Sequence, residues 1–301
     1  MRIFVLGNIN SGKSFLIDEL QKKLPNYKIL KIDEYRVQTC DGSLEAEVKM
    51  WSSFPEEVAK YDDVIVELSG GGKVAENILN KLEENSFVVL KVNTKLETCL
   101  KRNMVKDFSK TPYPKEFSTP IEDVIRKIDA DIKNGSIERL WSKAIKIYDV
   151  ESNCDIRTLP LFHYHLLFKV KKALSTVKGS LFTFGSTARG EMKVASDVDL
   201  FFLTDIKKED ILQKMKEHFS NVRIMENEVI VRENGVLLEM NYINNIKDAY
   251  YFYSTGSIKY PNKTILKDDF KIIDDLFIAA NNKADIKKEI EFIIERFNII
   301  V

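Results

Sequence analysis

The chain alternates short apolar runs with amphipathic stretches, and the alternation changes character near its middle. Apolar runs at residues 1–6, 27–32, 63–68, 87–92 and 144–150 have strand length. Helical patterns fall between several of them, at 15–24, 94–102, 121–132 and 137–143. Strands that alternate with helices predict an α/β domain: a parallel sheet with helices on both faces. The polar stretch 151–158 predicts a boundary, with a first unit over 1–152 and a second over 158–301. In the second unit, helices are expected at 159–177 and 207–219. Strands are expected through Phe182 and Phe184, over 198–203, and around Val222, Val229 and Leu238. After Asn244 the pattern is helical, at 249–253, 272–279 and 286–297. That order predicts an α+β domain, a small mixed sheet with C-terminal helices.

Composition narrows the function classes. The length of 301 residues suits two domains, and 44% hydrophobic residues give each a core. Lys and Arg number 46, as do Asp and Glu, so the net charge is zero and a dedicated nucleic-acid coat is not expected. No apolar run is long enough to span a bilayer, so no membrane partner is expected. The opening residues read as a first strand rather than a signal peptide. Cys40, Cys99 and Cys154 lie far apart with no CxxC, which reads as free thiols in a reducing cytoplasm. His163 and His165 have no acid or cysteine cluster beside them and read as partly buried or surface histidines rather than a metal pair. The aromatic run Tyr250-Tyr251-Phe252-Tyr253 reads as core packing rather than a base-stacking platform.

The first strand runs into Gly7-Asn8-Ile9-Asn10-Ser11-Gly12-Lys13-Ser14 and then a helix, the context that GxxxxGKS requires. Backbone amides of such a loop and its helix N-terminus cradle phosphates. Lys13 would reach the β- and γ-phosphates, and the Ser14 hydroxyl would ligate Mg²⁺. The second strand ends at Asp33-Glu34-Tyr35-Arg36, the third carries Glu67 near its end, and Ser69-Gly70-Gly71-Gly72 follows. With the loop, these features resemble small P-loop kinases: Asp-x-x-Arg is similar to polynucleotide kinases and zeta-toxin-like or antibiotic phosphotransferases, and the triple glycine to shikimate kinases. The resemblance implies Asp33 as base toward the attacking hydroxyl and Arg36 as a clamp on acceptor or phosphate. A helix N-cap with surface charges is the plainer reading of the same four residues. The glycines would lie against the acceptor, or simply form a strand-to-helix turn. Lys101-Arg102 closes a helix where small kinases carry cations that meet the nucleotide, although a solvated basic helix end also fits. The Pro-rich stretch 110–115 falls where such kinases place a mobile lid.

The second unit carries Gly185-Ser186-Thr187-Ala188-Arg189-Gly190 and then Ser196-Asp197-Val198-Asp199. Gly185 and Ser186 let the backbone approach a triphosphate, and strand alternation puts Asp197 and Asp199 on one face, as a pair of Mg²⁺ ions requires. The stretch resembles the signature of the DNA polymerase β nucleotidyltransferase superfamily in its minimal form, with Arg189 inside the nucleotide-binding segment. The resemblance implies a polymerase-β-type palm and a third carboxylate from a later strand. Glu239 is the one acid in the apolar run 236–242 and is assigned that role, with Glu226 and Glu228 as rivals.

Together the two resemblances imply a bifunctional enzyme using ATP or another NTP with Mg²⁺. The first unit would transfer a γ-phosphoryl group to a hydroxyl, and the second a nucleoside monophosphate with release of pyrophosphate. The acceptor is a small molecule, an RNA end or a protein, and a phosphate added by the first unit could mark the acceptor for the second. The alternative is an antitoxin-like regulator that adenylylates a partner protein, with the P-loop half sensing nucleotide.

Overall fold

A computed structural model describes residues 1–106, 113–114, 116, 119–225, 228–243 and 265–270. The chain separates into two compact units, Met1–Ile156 and Arg157–Val301.

The first unit is built in chain order from β1 (Arg2–Gly7), α1 (Lys13–Lys23), β2 (Lys28–Lys31), α2 (Ile32–Thr39), α3 (Leu44–Ala59), β3 (Val64–Leu68), α4 (Gly72–Leu79), β4 (Phe87–Asn93), α5 (Leu96–Asn103), α6 (Ile121–Lys133), α7 (Ser136–Leu140) and β5 (Lys146–Glu151). The strands are all parallel and lie in the order β2-β3-β1-β4-β5. Alternation along β1 splits the core between two faces. Phe4 and Leu6 pack with Val66, Val89, Phe87, Phe54 of α3, Ile78 of α4 and Trp141. Ile3 and Val5 face the other way, toward the side that α1 covers with buried Leu16, Ile17 and Leu20. Phe4 sits 4.8 Å from the Trp141 ring, and Trp141 Nε1 donates to the Gly70 carbonyl at 2.7 Å. That bond lets a large aromatic be fully buried without leaving its one polar atom unmet. Strand order and loop position together make this unit a P-loop kinase-type α/β fold.

The second unit contains α8 (Leu161–Ala173), β6 (Ser180–Thr183), α9 (Gly185–Arg189), β7 (Val198–Leu203), α10 (Lys208–His218), β8 (Val222–Ile224), β9 (Glu228–Glu233), β10 (Val236–Ile243) and β11 (Ile265–Asp268). Its sheet is mixed, in the order β11-β6-β7-β10-β9-β8. The β7–β10 pair is parallel, and β6–β7, β9–β10, β8–β9 and β6–β11 are antiparallel. Phe182 of β6 stacks on Phe201 of β7 with centroids 4.5 Å apart, which locks the two strands that flank the glycine motif.

Three features depart from the sequence pattern. Helices α3 and α4 occupy stretches for which no element was expected. The first helix residue after β2 is Ile32, so Asp33 lies in the first turn of α2 with Lys31 as the N-cap. Strand β11 falls within a region expected to be helical. Its two apolar residues, Ile265 and Leu266, are too few to signal a strand, and the pairing with β6 creates it. The helices expected at 249–253, 272–279 and 286–297, with the aromatic run at 250–253, lie outside the described residues, as does most of the 110–115 loop.

Candidate active sites

In the first unit the loop between β1 and α1 is shaped by positions that tolerate little else. Gly12, the N-cap of α1, has φ +96, and a Cβ there would stand 2.7 Å from the Ser152 Cβ. Gly7 is closed in by the Val92 carbonyl, 2.8 Å from where its Cβ would be. Asn10 holds the left-handed conformation at φ 61. No side chain caps α1, so its first N–H groups stay available to an anion. Lys13 is buried, and its Nζ donates to the Gly7 carbonyl at 3.1 Å and the Asn8 carbonyl at 2.8 Å. Burial pushes its ammonium pKa down, while Glu67 and Asp33 pull the other way. The Ser11 hydroxyl is buried without a partner inside the loop. Ser14 Oγ donates to the Glu67 carboxylate at 3.3 Å, so the hydroxyl after the loop lysine and the acid of β3 face each other. Burial raises the Glu67 pKa, against the pull of Lys13 and Lys31. A serine hydroxyl beside a carboxylate is a hard-oxygen pair that suits Mg²⁺ with phosphate oxygens completing it.

These groups open into a cavity of about 1280 Å³ that also holds Asp33, Arg36, Arg102 and Tyr113. Arg102 Nη1 donates to the Asn10 carbonyl at 2.9 Å, tying the end of α5 to the loop. Arg36 is braced rather than free. Its Nε and Nη2 donate to Glu47 at 2.9 and 3.1 Å, and its Nη1 donates to Asp33 at 2.6 Å. The Tyr113 ring lies 4.5 Å from the guanidinium, and the Tyr113 hydroxyl donates to Asp33 at 3.1 Å. Trp51 Nε1 closes the network on Glu47 at 3.1 Å. Glu47 went unremarked in the sequence. Its position on α3 carries a weak signal at best, because its partner comes from another helix. On the strand side the cavity reaches Leu68 and Ser69, and Gly70–Gly72 are not part of its described lining.

In the second unit β6 ends at Thr183 and the chain turns into α9 at Gly185, which has φ +59. A Cβ there would meet Asp199 Oδ2 at 2.5 Å, so glycine is what lets the turn lie against that carboxylate. The Asp199 N–H donates to Thr187 Oγ1 at 3.3 Å and its carbonyl accepts from Phe184, which fixes motif and strand together. Parallel pairing sets Glu239 directly opposite Asp199. Asp197, Asp199 and Glu239 converge, with one carboxylate oxygen from each within 4.8 Å of the other two. Glu228 pairs opposite Asn241, one strand farther out, and Glu226 lies outside the described residues. Burial first, then Asp197 and Glu239, raise the Asp199 pKa to about 6, with Arg189 pulling it down. Burial and the charges of Glu228 and Asp197 raise that of Glu239. Three converging carboxylates form a site short of positive charge, and their oxygens fit a divalent cation such as Mg²⁺. Arg189 is bound to Glu191 at 2.7 Å, and Ser186 is half-buried in the first turn of α9.

Residues 167–296 match the family model described as a nucleotidyltransferase domain. No curated protein matches the chain. Among solved structures, the chain is similar to shikimate kinase from Acinetobacter baumannii, solved with shikimate, at 15% identity and TM-score 0.36, over 50% of this chain and 83% of that one. Shikimate kinase from Aquifex aeolicus gives 20% and 0.35, over 58% and 99%. A gluconokinase from Sinorhizobium meliloti 1021 gives 13% and 0.28, over 47% and 96%. At scores this low, the fold of the first unit rests on its strand order and its loop, not on these likenesses. The chain thus joins a nucleotidyltransferase domain to a P-loop kinase-like unit.

Proposed function

We propose that this chain is an NTP-dependent transferase with two reaction centres. The observation that carries the reading is the convergence of Asp197, Asp199 and Glu239 beside the Gly185 turn, within the span of the nucleotidyltransferase match. In the second unit an acceptor hydroxyl oxygen forms a bond to the α-phosphorus of an NTP, the bond to the bridging oxygen breaks, and pyrophosphate leaves. Gly185 and Ser186 hold the triphosphate, Arg189 offers it positive charge, and the carboxylates orient the reacting groups and take up the hydroxyl proton. A divalent cation held by the three acids would supply charge neutralisation at the α-phosphate.

In the first unit the acceptor oxygen attacks the γ-phosphorus and the nucleoside diphosphate leaves. Lys13 exchanges its loop carbonyls for phosphate oxygens, and Ser14 with Glu67 would hold Mg²⁺. Asp33 accepts the proton. Arg36 has five N–H donors and three are spent on Glu47 and Asp33, so it aims Asp33 and keeps two for the acceptor.

The test uses NTPs labelled separately at the α- and γ-phosphate, incubated with Mg²⁺, the protein and a lysate fractionated into small molecules, RNA and protein. Loss of γ-label transfer with Asp33→Ala and of α-label transfer with Asp197→Ala/Asp199→Ala establishes both centres. Absence of α-label from every fraction would sink the nucleotidyl-transfer half.

A further inference from the structure

Two of the three acids in the second unit are placed by strand pairing, and the third is not. Asp199 and Glu239 sit opposite each other in the β7–β10 ladder. Asp197 precedes the first residue of β7, at the end of the irregular segment that follows Gly190. Its position is inherited from the backbone just before it. Ser196 is pinned there from several sides. Its N–H donates to the Lys193 carbonyl at 3.0 Å, its Oγ accepts from the Lys193 N–H at 3.0 Å, and its own carbonyl lies 2.8 Å from His163 Nε2. The first two bonds close a local turn. The third ties that turn to α8, which packs against β10, the strand that carries Glu239.

The chemistry of His163 fits this role better than simple filling. The ring is 2% exposed. A carbonyl can only accept, so Nε2 carries the proton. That leaves Nδ1 as an acceptor, and it is buried without a hydrogen-bond partner. A buried polar atom left unmet carries its full desolvation cost. An apolar side chain would avoid that cost and fill the same space. The bond to Ser196 is what the imidazole supplies in return. Burial lowers its pKa, opposed by the Ser196 carbonyl and Asp197, so the neutral donor form is favoured.

We infer that His163 is a positioning residue for the candidate metal site: by holding the Ser196 carbonyl it sets where the Asp197 carboxylate stands relative to Asp199 and Glu239. The inference rests on the nucleotidyl-transfer reading of the second unit. It separates His163 from His165, two residues on, which is half-buried.

The experiment measures Mn²⁺ binding to the full chain without nucleotide, by the electron paramagnetic resonance signal of the free ion. Asp197→Ala/Asp199→Ala sets the baseline, and thermal melts are taken for every variant. Three substitutions are compared. His163→Gln keeps an N–H donor near the Nε2 position, His163→Asn offers a donor that falls short, and His163→Leu offers none. The expected result is affinity within about threefold of wild type for Gln, and a loss of about tenfold for Asn and Leu at matching melts. If Leu fails to fold, the Gln and Asn pair carries the comparison, since both are buried amides. Wild-type affinity in Asn or Leu overturns the inference, as does loss in all three with the fold intact, because the donor would then not be what matters. A wild type that binds no better than the double variant overturns the metal-site reading itself, and so is told apart from a failure of His163.

Discussion

At the scale of single residues, the acidic site is governed by mutual repulsion and one close approach. Replacing Gly185 with alanine places a methyl 2.5 Å from Asp199 Oδ2 at a φ that alanine resists. The expected cost is more than about 1 kcal/mol of stability and about a hundredfold loss of α-label transfer, checked by denaturant titration and by turnover. Asp199 gives a pH signature. Its pKa is raised to about 6 in the fold, so ionisation is less favourable folded than unfolded. The destabilisation is therefore present above pH 6 and relieved as pH falls through that value toward the unfolded carboxylate range. Asp199→Asn is expected to be more stable than wild type by about 1 kcal/mol at pH 7.5, the shift being discounted for a half-exposed group. That gap should shrink below pH 6. Taking the difference between the two proteins removes His163, whose lowered pKa acts with the opposite sign. Saturating Mg²⁺ should close the gap at pH 7.5 by favouring the ionised site, and an unchanged gap would count against a cation there.

At the scale of elements, the α2–α3 pair braces the Asp33–Arg36 end of the P-loop cavity. Arg36 and Glu47 bury their charged groups together, with side chains 8% and 3% exposed. Removing Glu47 leaves the buried Arg36 guanidinium with Asp33 as its remaining carboxylate partner and two donors unmet, which is costly even where the intact pair adds little. Glu47→Ala is expected to destabilise the first unit by about 3 kcal/mol, read by the fluorescence of neighbouring Trp51 in urea. It should also lower γ-label transfer, because Asp33 loses the brace that aims it. A stable Glu47→Ala protein with normal transfer would show that Arg36 does not depend on this contact. The sequence pattern anticipated β1, α1 and the later strands because their apolar spacing is strong. It passed over α3 and α4 and misread the region of β11, where the ordering comes from partners distant in sequence.

At the scale of the molecule, two compact units each hold their own candidate nucleotide site. Calorimetry of the full chain is expected to show two unfolding transitions, each raised by NTP with Mg²⁺ through preferential binding to the folded unit. Lys13→Ala should abolish the shift of one transition and Asp197→Ala/Asp199→Ala that of the other. A single transition in all proteins would mean that the units unfold together. Among the described residues, no helix is long and apolar enough to cross a membrane.

The sequence by itself determined what local spacing can encode. GxxxxGKS after a strand, and a glycine turn leading into a strand that carries Asp199, mark their local geometry in the sequence, because backbone conformation and strand alternation act at short range. The tertiary structure decided what depends on register between distant segments. Glu239 and Glu228 are both acids on apolar strands, and only the parallel pairing of β10 with β7 sets Glu239 opposite Asp199. The same holds for Glu47 against Arg36 and for His163 against Ser196, where each partner comes from a separate element. Hydrogen bonds and charge pairs across elements leave no periodic trace in a sequence. They come into being when packing brings the elements together.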